Sequence, residues 1–170
     1  NVKYLECSNN KLEELNLFGN VEELDCSYNC LKRIVNCHNT KYLICNNNKI
    51  TQIRDLLSVE VLICNSNQLE TLTITSNKLV EMDCSYNKLS ELKNINYMEK
   101  LNMAYNNFNS FTIPSKLEIL NCDNNKISFL QCNPDASLQS LQCNNNLLTQ
   151  LPLFNELVTL ECNNNKLVII

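Results

Sequence analysis

A short phrase, leucine-x-cysteine-x-x-asparagine-x-leucine, recurs nine times along these 170 residues at a spacing of 19 to 21. A unit that short cannot bury its own apolar residues, so the copies must stack on one another and the chain must be a solenoid. The cysteine of the phrase is Cys7, Cys26, Cys45, Cys64, Cys84, Cys122, Cys143 and Cys162, with Met103 in its place in the sixth copy. The asparagine, three residues on, is present in all nine copies as Asn10, Asn29, Asn48, Asn67, Asn87, Asn106, Asn125, Asn146 and Asn165.

The leucine and cysteine positions alternate with polar ones, a period of two that specifies a short strand with one buried face. Successive strands lie one full turn of chain apart, so they must run parallel, about 4.8 Å from rung to rung. The asparagine sits where the chain turns inward. A buried amide is costly unless bonded, and the economical arrangement is a ladder in which each asparagine bonds backbone groups of its own and the neighbouring turn.

Glycine occurs once, at Gly19, so asparagine must supply the tight corners. It tolerates positive φ better than other non-glycine residues, and runs such as Asn46-Asn47-Asn48 and Asn163-Asn164-Asn165 read as turns, all in one phase of the repeat. The second half of several copies echoes the first, as in Leu72-Thr73-Ile74 with Asn77 and Leu79, so the unit is nested. So few residues per turn leave no room for an ordinary helix, and Pro114, Pro134 and Pro152 fall in these second halves, which predicts extended or 3₁₀ segments there.

The whole phrase, L-x-x-L-x-L-x-x-N-x-L with a nested second half, resembles the short class of leucine-rich repeats seen in bacteria, amoebal protists and large DNA viruses. The resemblance covers the full chain and implies a right-handed leucine-rich repeat solenoid, α/β horseshoe by convention, that serves as a protein-binding surface. The expected architecture is a parallel sheet of about nine short strands, with a far side of mostly extended or 3₁₀ chain. The departures are the near-uniform cysteine at the third apolar position, Met103, and ends without polar caps. Residues 1–170 therefore read as a single domain excerpted from a longer solenoid, with end-to-end self-association as the other way to cover its end rungs.

Eight of the eleven cysteines fall in one inward column, where cysteine acts as a small hydrophobe. In-register neighbours stand near the 4.8 Å strand spacing, whereas a disulfide prefers Cβ atoms about 3.8 Å apart, so the column should be reduced. A straight ladder without C-x-x-C pairs cannot converge on zinc, and no cofactor is expected. Free thiols in such number point to a reducing compartment, the cytoplasm, or a host's cytoplasm for a viral or bacterial effector. Cys132 fits an apolar slot of a second half and Cys37 lies near the equivalent slot, whereas Cys30 stands where other copies carry lysine and should be exposed. The sole histidine, His38, lies eight residues beyond Cys30, and a catalytic thiol needs both a base and an orienting group. With no phosphate loop or nucleophile elbow either, the chain does not read as an enzyme.

A net charge of -4 with mixed signs gives no footprint for nucleic acid, and no apolar run approaches the roughly 18 residues of a membrane span. The expected partner is another protein, received on the outward columns of the sheet. Most rungs are polar there, such as Glu23, Asp25 and Ser27, but the third and fourth carry Tyr42, Ile44, Val61 and Ile63. This apolar group, with Tyr28, Tyr86 and Tyr105 beside it, is the candidate contact surface. Two other roles fit the same pattern: the substrate-recognition arm of a larger enzyme such as an effector ubiquitin ligase, and a structural spacer. Lys32, Arg33 and Arg54 form a smaller basic spot on the opposite half of the rungs.

Overall fold

The computed structural model describes residues 2–17, 20–133 and 135–169, so Gly19 and Pro134 lie outside the described residues. Its strands, in chain order, are β1 (Tyr4–Glu6), β2 (Glu23–Asp25), β3 (Arg33–Ile34), β4 (Tyr42–Ile44), β5 (Gln52–Ile53), β6 (Val61–Ile63) and β7 (Glu81–Asp83). They continue as β8 (Lys100–Asn102), β9 (Ser110–Ile113), β10 (Ile119–Asn121), β11 (Phe129–Cys132), β12 (Ser140–Gln142) and β13 (Thr159–Glu161). Nine of them form one parallel sheet in the order β1-β2-β4-β6-β7-β8-β10-β12-β13, one strand from each copy of the phrase. Leucine faces leucine through the stack, as in Leu5↔Leu24 and Leu120↔Leu141, so the repeat spacing itself sets the register.

The second halves are extended, as the short unit requires. They pair in separate pieces, β3 with β5 and β9 with β11, with a bridge between Thr73 and Lys93. Among the described residues there is neither α-helix nor 3₁₀-helix, but single i→i+3 turns occur there, with the N–H of Thr40, Met98 and Leu117 donating to the carbonyls of Cys37, Ile95 and Pro114. Short extended pieces and single tight turns together make up the far side, with little regular structure.

Between the two sides runs a single core of leucine, isoleucine and cysteine columns. Cys26, Cys45, Cys64, Cys84, Cys122 and Cys143 are fully buried in it, and every cysteine is a free thiol. The column carries Met103 where the sixth rung departs from cysteine, and that rung also substitutes the larger Phe108, which packs edge-on against Phe111 at 6.3 Å. Cys7 and Cys162 are only half-buried because their rungs have a neighbour on one side alone. Burial pushes the thiols of Cys37 and Cys143 up to about 12, and those of Cys45, Cys84 and Cys122 rise well above their ordinary value of 9.0 for the same reason.

The asparagine ladder is present and its bonding is specific. Asn29 shows the unit: its Nδ2 donates to the carbonyls of Cys26 and Ser27 in its own turn and of Cys7 in the turn before. Its Oδ1 accepts from the backbone N–H of Leu12, at 2.9 Å. The same set recurs at Asn48, Asn67, Asn87, Asn106, Asn125, Asn146 and Asn165, whereas Asn10, on the first rung, bonds only Cys7 and Ser8 of its own turn. Among the described residues, no buried side-chain nitrogen or oxygen lacks a partner.

Directly before each ladder asparagine the chain passes through the left-handed region. Asn9, Tyr28, Asn47, Ser66, Tyr86, Tyr105, Asn124, Asn145 and Asn164 all have φ between 52° and 56°. The expectation that asparagine turns these corners holds at five of the nine positions. Tyrosine holds three of them, although a bulky side chain gains nothing from the conformation, which costs about 1–2 kcal/mol in an L-residue other than glycine.

Candidate functional site

The outward side of the nine-stranded sheet carries three columns: the residue before each leucine, the residue after it, and the residue after each cysteine. Because the register is exact, side chains in a column are neighbours on successive rungs. Tyr42 pairs with Val61 and Ile44 with Ile63, so the four apolar residues singled out from sequence form one block across β4 and β6. Tyr42 is 43% exposed, and Ile44, Val61 and Ile63 are partly exposed.

The structure enlarges this block. Tyr4 lies in the same column as Tyr42, two rungs away, with Glu23 between them, and it is 66% exposed. A hollow of 470 Å³ opens there, lined by Tyr4, Glu6, Glu23, Asp25, Tyr42 and Ile44 over the leucine backbone of β1 and β2. On the other side of the block a smaller hollow of 240 Å³ is lined by residues including Ile63, Glu81, Asp83, Lys100 and Ile119. Tyr4 and Ile119 were not singled out from the sequence, yet counting out the column before each leucine brings both to light.

The rungs bounding the block are near-copies of each other. Glu23-Leu24-Asp25-Cys26-Ser27-Tyr28-Asn29 and Glu81-Met82-Asp83-Cys84-Ser85-Tyr86-Asn87 differ only at the buried Leu24/Met82 position. In each, one carboxylate oxygen of the aspartate accepts from the backbone N–H and hydroxyl of the serine two residues on, at 2.9 and 2.7 Å for Asp25 and 2.9 and 2.6 Å for Asp83. That pair of bonds aims the carboxylate. In the same column Asn102 and Asn121 make the backbone half of the contact, accepting from Ala104 and Asp123 N–H.

Charges near the block fall into two groups. One column further from the leucines, Glu22 accepts from Lys3 at 2.7 Å and from Lys41 at 3.1 Å, and these bonds hold its carboxyl below the ordinary value while raising both ammonium groups. The three outward columns of the first five rungs, by contrast, hold Glu6, Glu23, Asp25, Glu81 and Asp83 and no lysine or arginine. The nearest cation in those columns is Lys100, 3.7 Å from Glu81.

Tyr28, Tyr86 and Tyr105 stand at the left-handed corners where the strands leave the face, and all are about half-exposed. Tyr86 and Tyr105 stack at 4.2 Å with their planes 11° apart, and the neighbouring Tyr105 raises the Tyr86 hydroxyl above its ordinary value. Tyr28 has Asn9 and Asn47 at the equivalent corners on either side.

Other candidates from sequence are placed elsewhere. Cys30, expected to be exposed, is half-buried, and its backbone N–H donates to Leu12. His38 is exposed with Nε2 3.7 Å from Asp55, and among the described residues no hydrogen bond joins it to Cys30. Lys32 reaches Glu13 at 4.0 Å, while Arg33 and Arg54 lie exposed on the side of β3 and β5, away from the apolar block. Among the described residues no cluster of histidine, cysteine and carboxylate side chains is arranged to hold a metal ion, and no helix is long and apolar enough to cross a membrane.

No protein-family profile matches the chain, and no curated protein sequence does. Solved structures do. YopM from Yersinia enterocolitica superposes with a TM-score of 0.88 at 23% identity, over 99% of this chain and 43% of that one. YopM from Yersinia pestis, described as a leucine-rich effector protein, gives 0.76 at 22% identity, over 96% of this chain and 55% of that one. The functional domain of InlJ from Listeria monocytogenes, described as including a cysteine ladder, gives 0.77 at 22% identity, over 99% and 46%. The chain thus spans about half the length of the structures it matches. A nine-stranded parallel sheet, one strand per repeat, backed by extended chain and superposing on these proteins along nearly its whole length, has the leucine-rich repeat fold.

Proposed function

We propose that this chain is a protein-protein interaction module that receives its partner on the strand-bearing face, at the block formed by Tyr42, Ile44, Val61 and Ile63. The observation that carries the reading is the exposure of four contiguous apolar side chains, in register on two adjacent strands, on a face that is otherwise mostly polar. Tyr28 and the stacked Tyr86 and Tyr105 supply aromatic contacts at the edge of the same surface. The likeness to a protein described as a leucine-rich effector supports the same reading, and the free thiols favour a reducing compartment, the cytoplasm, as the place of action.

The face can be disabled without touching the core. The double variant Ile44→Asp with Ile63→Asp places acids at outward positions where Asp25 and Asp83 already stand in neighbouring rungs. Far-UV circular dichroism and the denaturant midpoint should show a folded solenoid, while affinity for a partner captured by the parent protein falls at least tenfold. A partner bound equally well by the parent and the folded variant would remove the block from the contact surface.

A further inference from the structure

The hollow at β1, β2 and β4 has a lining that the apolar block alone does not explain. Glu23 lines it between Tyr4 and Tyr42, which are two rungs apart, or roughly 9.6 Å by strand spacing. Glu6 and Asp25 line the next column, and Ile44 closes the side towards the block. Three carboxylates and two phenol rings thus converge on one 470 Å³ space. The cations closest in sequence, Lys3 and Lys41, are held by Glu22 on the column beyond and line no part of it.

Such a lining is suited to one kind of guest. A guanidinium or ammonium group is attracted to tyrosine faces and to carboxylates alike, and a planar guanidinium can lie between two rings while donating to acids at its edge. A neutral or acidic side chain would leave the carboxylates crowded together without compensation. Asp25 is already aimed, because its Oδ1 is fixed by Ser27, while among the described residues its Oδ2 carries no hydrogen bond.

We propose that this hollow receives an arginine or lysine side chain of the partner protein, next to an aliphatic or aromatic side chain that covers Ile44, Val61 and Ile63. The inference rests on the strand-bearing face being the binding surface, and it assigns the chemistry of the segment bound there: a cation beside an apolar residue. The second near-copy rung, with Glu81 and Asp83, is the lesser cation site, because Lys100 already partly neutralises it.

The test is selection of a randomised displayed peptide library on the parent protein, followed by binding of the selected peptides to two variants. One is Glu23→Gln with Asp25→Asn, which keeps shape and the backbone half of the serine contact, as asparagine does at Asn102 and Asn121. The other is Ile44→Asp with Ile63→Asp. Peptides enriched in arginine or lysine beside an apolar residue, weakened at least tenfold by the charge-removing pair and weakened further by added salt, are the expected result. Selected peptides that lack a cation, or cationic peptides that bind the charge-removed variant as tightly as the parent, would overturn the proposal; if the aspartate pair still abolished their binding, the face reading would stand. Peptides indifferent to both variants, or no enrichment at all, would overturn the cation site and leave the face without support.

Discussion

Replacing Asn87 by alanine isolates what the asparagine ladder contributes, because the structure says which groups lose their only partner. The Asn87 Nδ2 donates to the carbonyls of Cys64, Cys84 and Ser85 at 3.1, 3.1 and 3.2 Å. Each of these keeps another donor: Asn67 on Cys64, Asn106 on Cys84 and the Ser66 N–H on Ser85. The Leu69 N–H is different, since its acceptor is the Asn87 Oδ1 at 2.9 Å, inside the core. Alanine leaves that one buried donor orphaned, which costs about 1–3 kcal/mol, with smaller losses at the three carbonyls.

Asn87→Asp sharpens the test. Its carboxylate can still accept from Leu69, but its second oxygen then points at three carbonyl oxygens instead of donating to them. The buried carboxyl is driven towards its protonated form, so its pKa in the folded state rises above the unfolded value of about 3.9. Sign follows from linkage: the folded state binds the extra proton, so the aspartate variant loses stability as pH rises through that window and regains it on acidification. Urea titration followed by circular dichroism should place Asn87→Ala below the parent and Asn87→Asp below the alanine variant at neutral pH, the gap narrowing in acid. Native-state hydrogen exchange should show the Leu69 amide losing protection in the alanine variant. An unchanged midpoint together with an unchanged Leu69 amide would refute the ladder as a source of stability.

Thiol titration of the native protein should modify Cys30, Cys7, Cys132 and Cys162 before any fully buried thiol; labelling of Cys45 at the rate of Cys30 would mean the column is open. Because burial lifts Cys37 and Cys143 from 9.0 to about 12, the folded state holds protons that the unfolded chain has lost, and stability should fall as pH rises from about 9 towards 12. A denaturation midpoint flat across that range would contradict the burial of these thiols. Tyr28→Asn should raise stability by about 1 kcal/mol through relief of the left-handed backbone. Tyr86→Asn should gain less, since it also breaks the stack on Tyr105, worth about 0.5–1.5 kcal/mol; equal gains would mean the stack contributes nothing.

Stack, strand register, cysteine column and asparagine ladder could all be read from the sequence, because in a solenoid periodicity in sequence becomes adjacency in space. Tyr42, Ile44, Val61 and Ile63 were legible for the same reason. What escaped were features that depend on departures from the period. Tyr4 can be found by counting the column before each leucine, but the hollow it shares with Glu23 and Tyr42 is visible only in the structure. The strained corners of Tyr28, Tyr86 and Tyr105 were hidden because asparagine, the residue that fits such corners, occupies most of the equivalent positions and made the turn look like a matter of composition alone. Cys30 makes the same backbone bond as the lysines of other copies, but its short thiol does not extend into water as their side chains do, so it is partly buried where they are exposed.

The asparagine ladder also has a direction. Each amide reaches towards the preceding turn, satisfying that turn's cysteine carbonyl and the N–H of the residue two beyond its asparagine, and it has no equivalent reach forward. Peeling a rung from the later side therefore strips partners from the rung it uncovers, whereas peeling from the earlier side leaves an asparagine still anchored to its own turn, as Asn10 is. Nearest-neighbour coupling in this solenoid is asymmetric, and fraying should advance more readily from one end than from the other. The chain behaves as a zipper whose teeth all lean the same way.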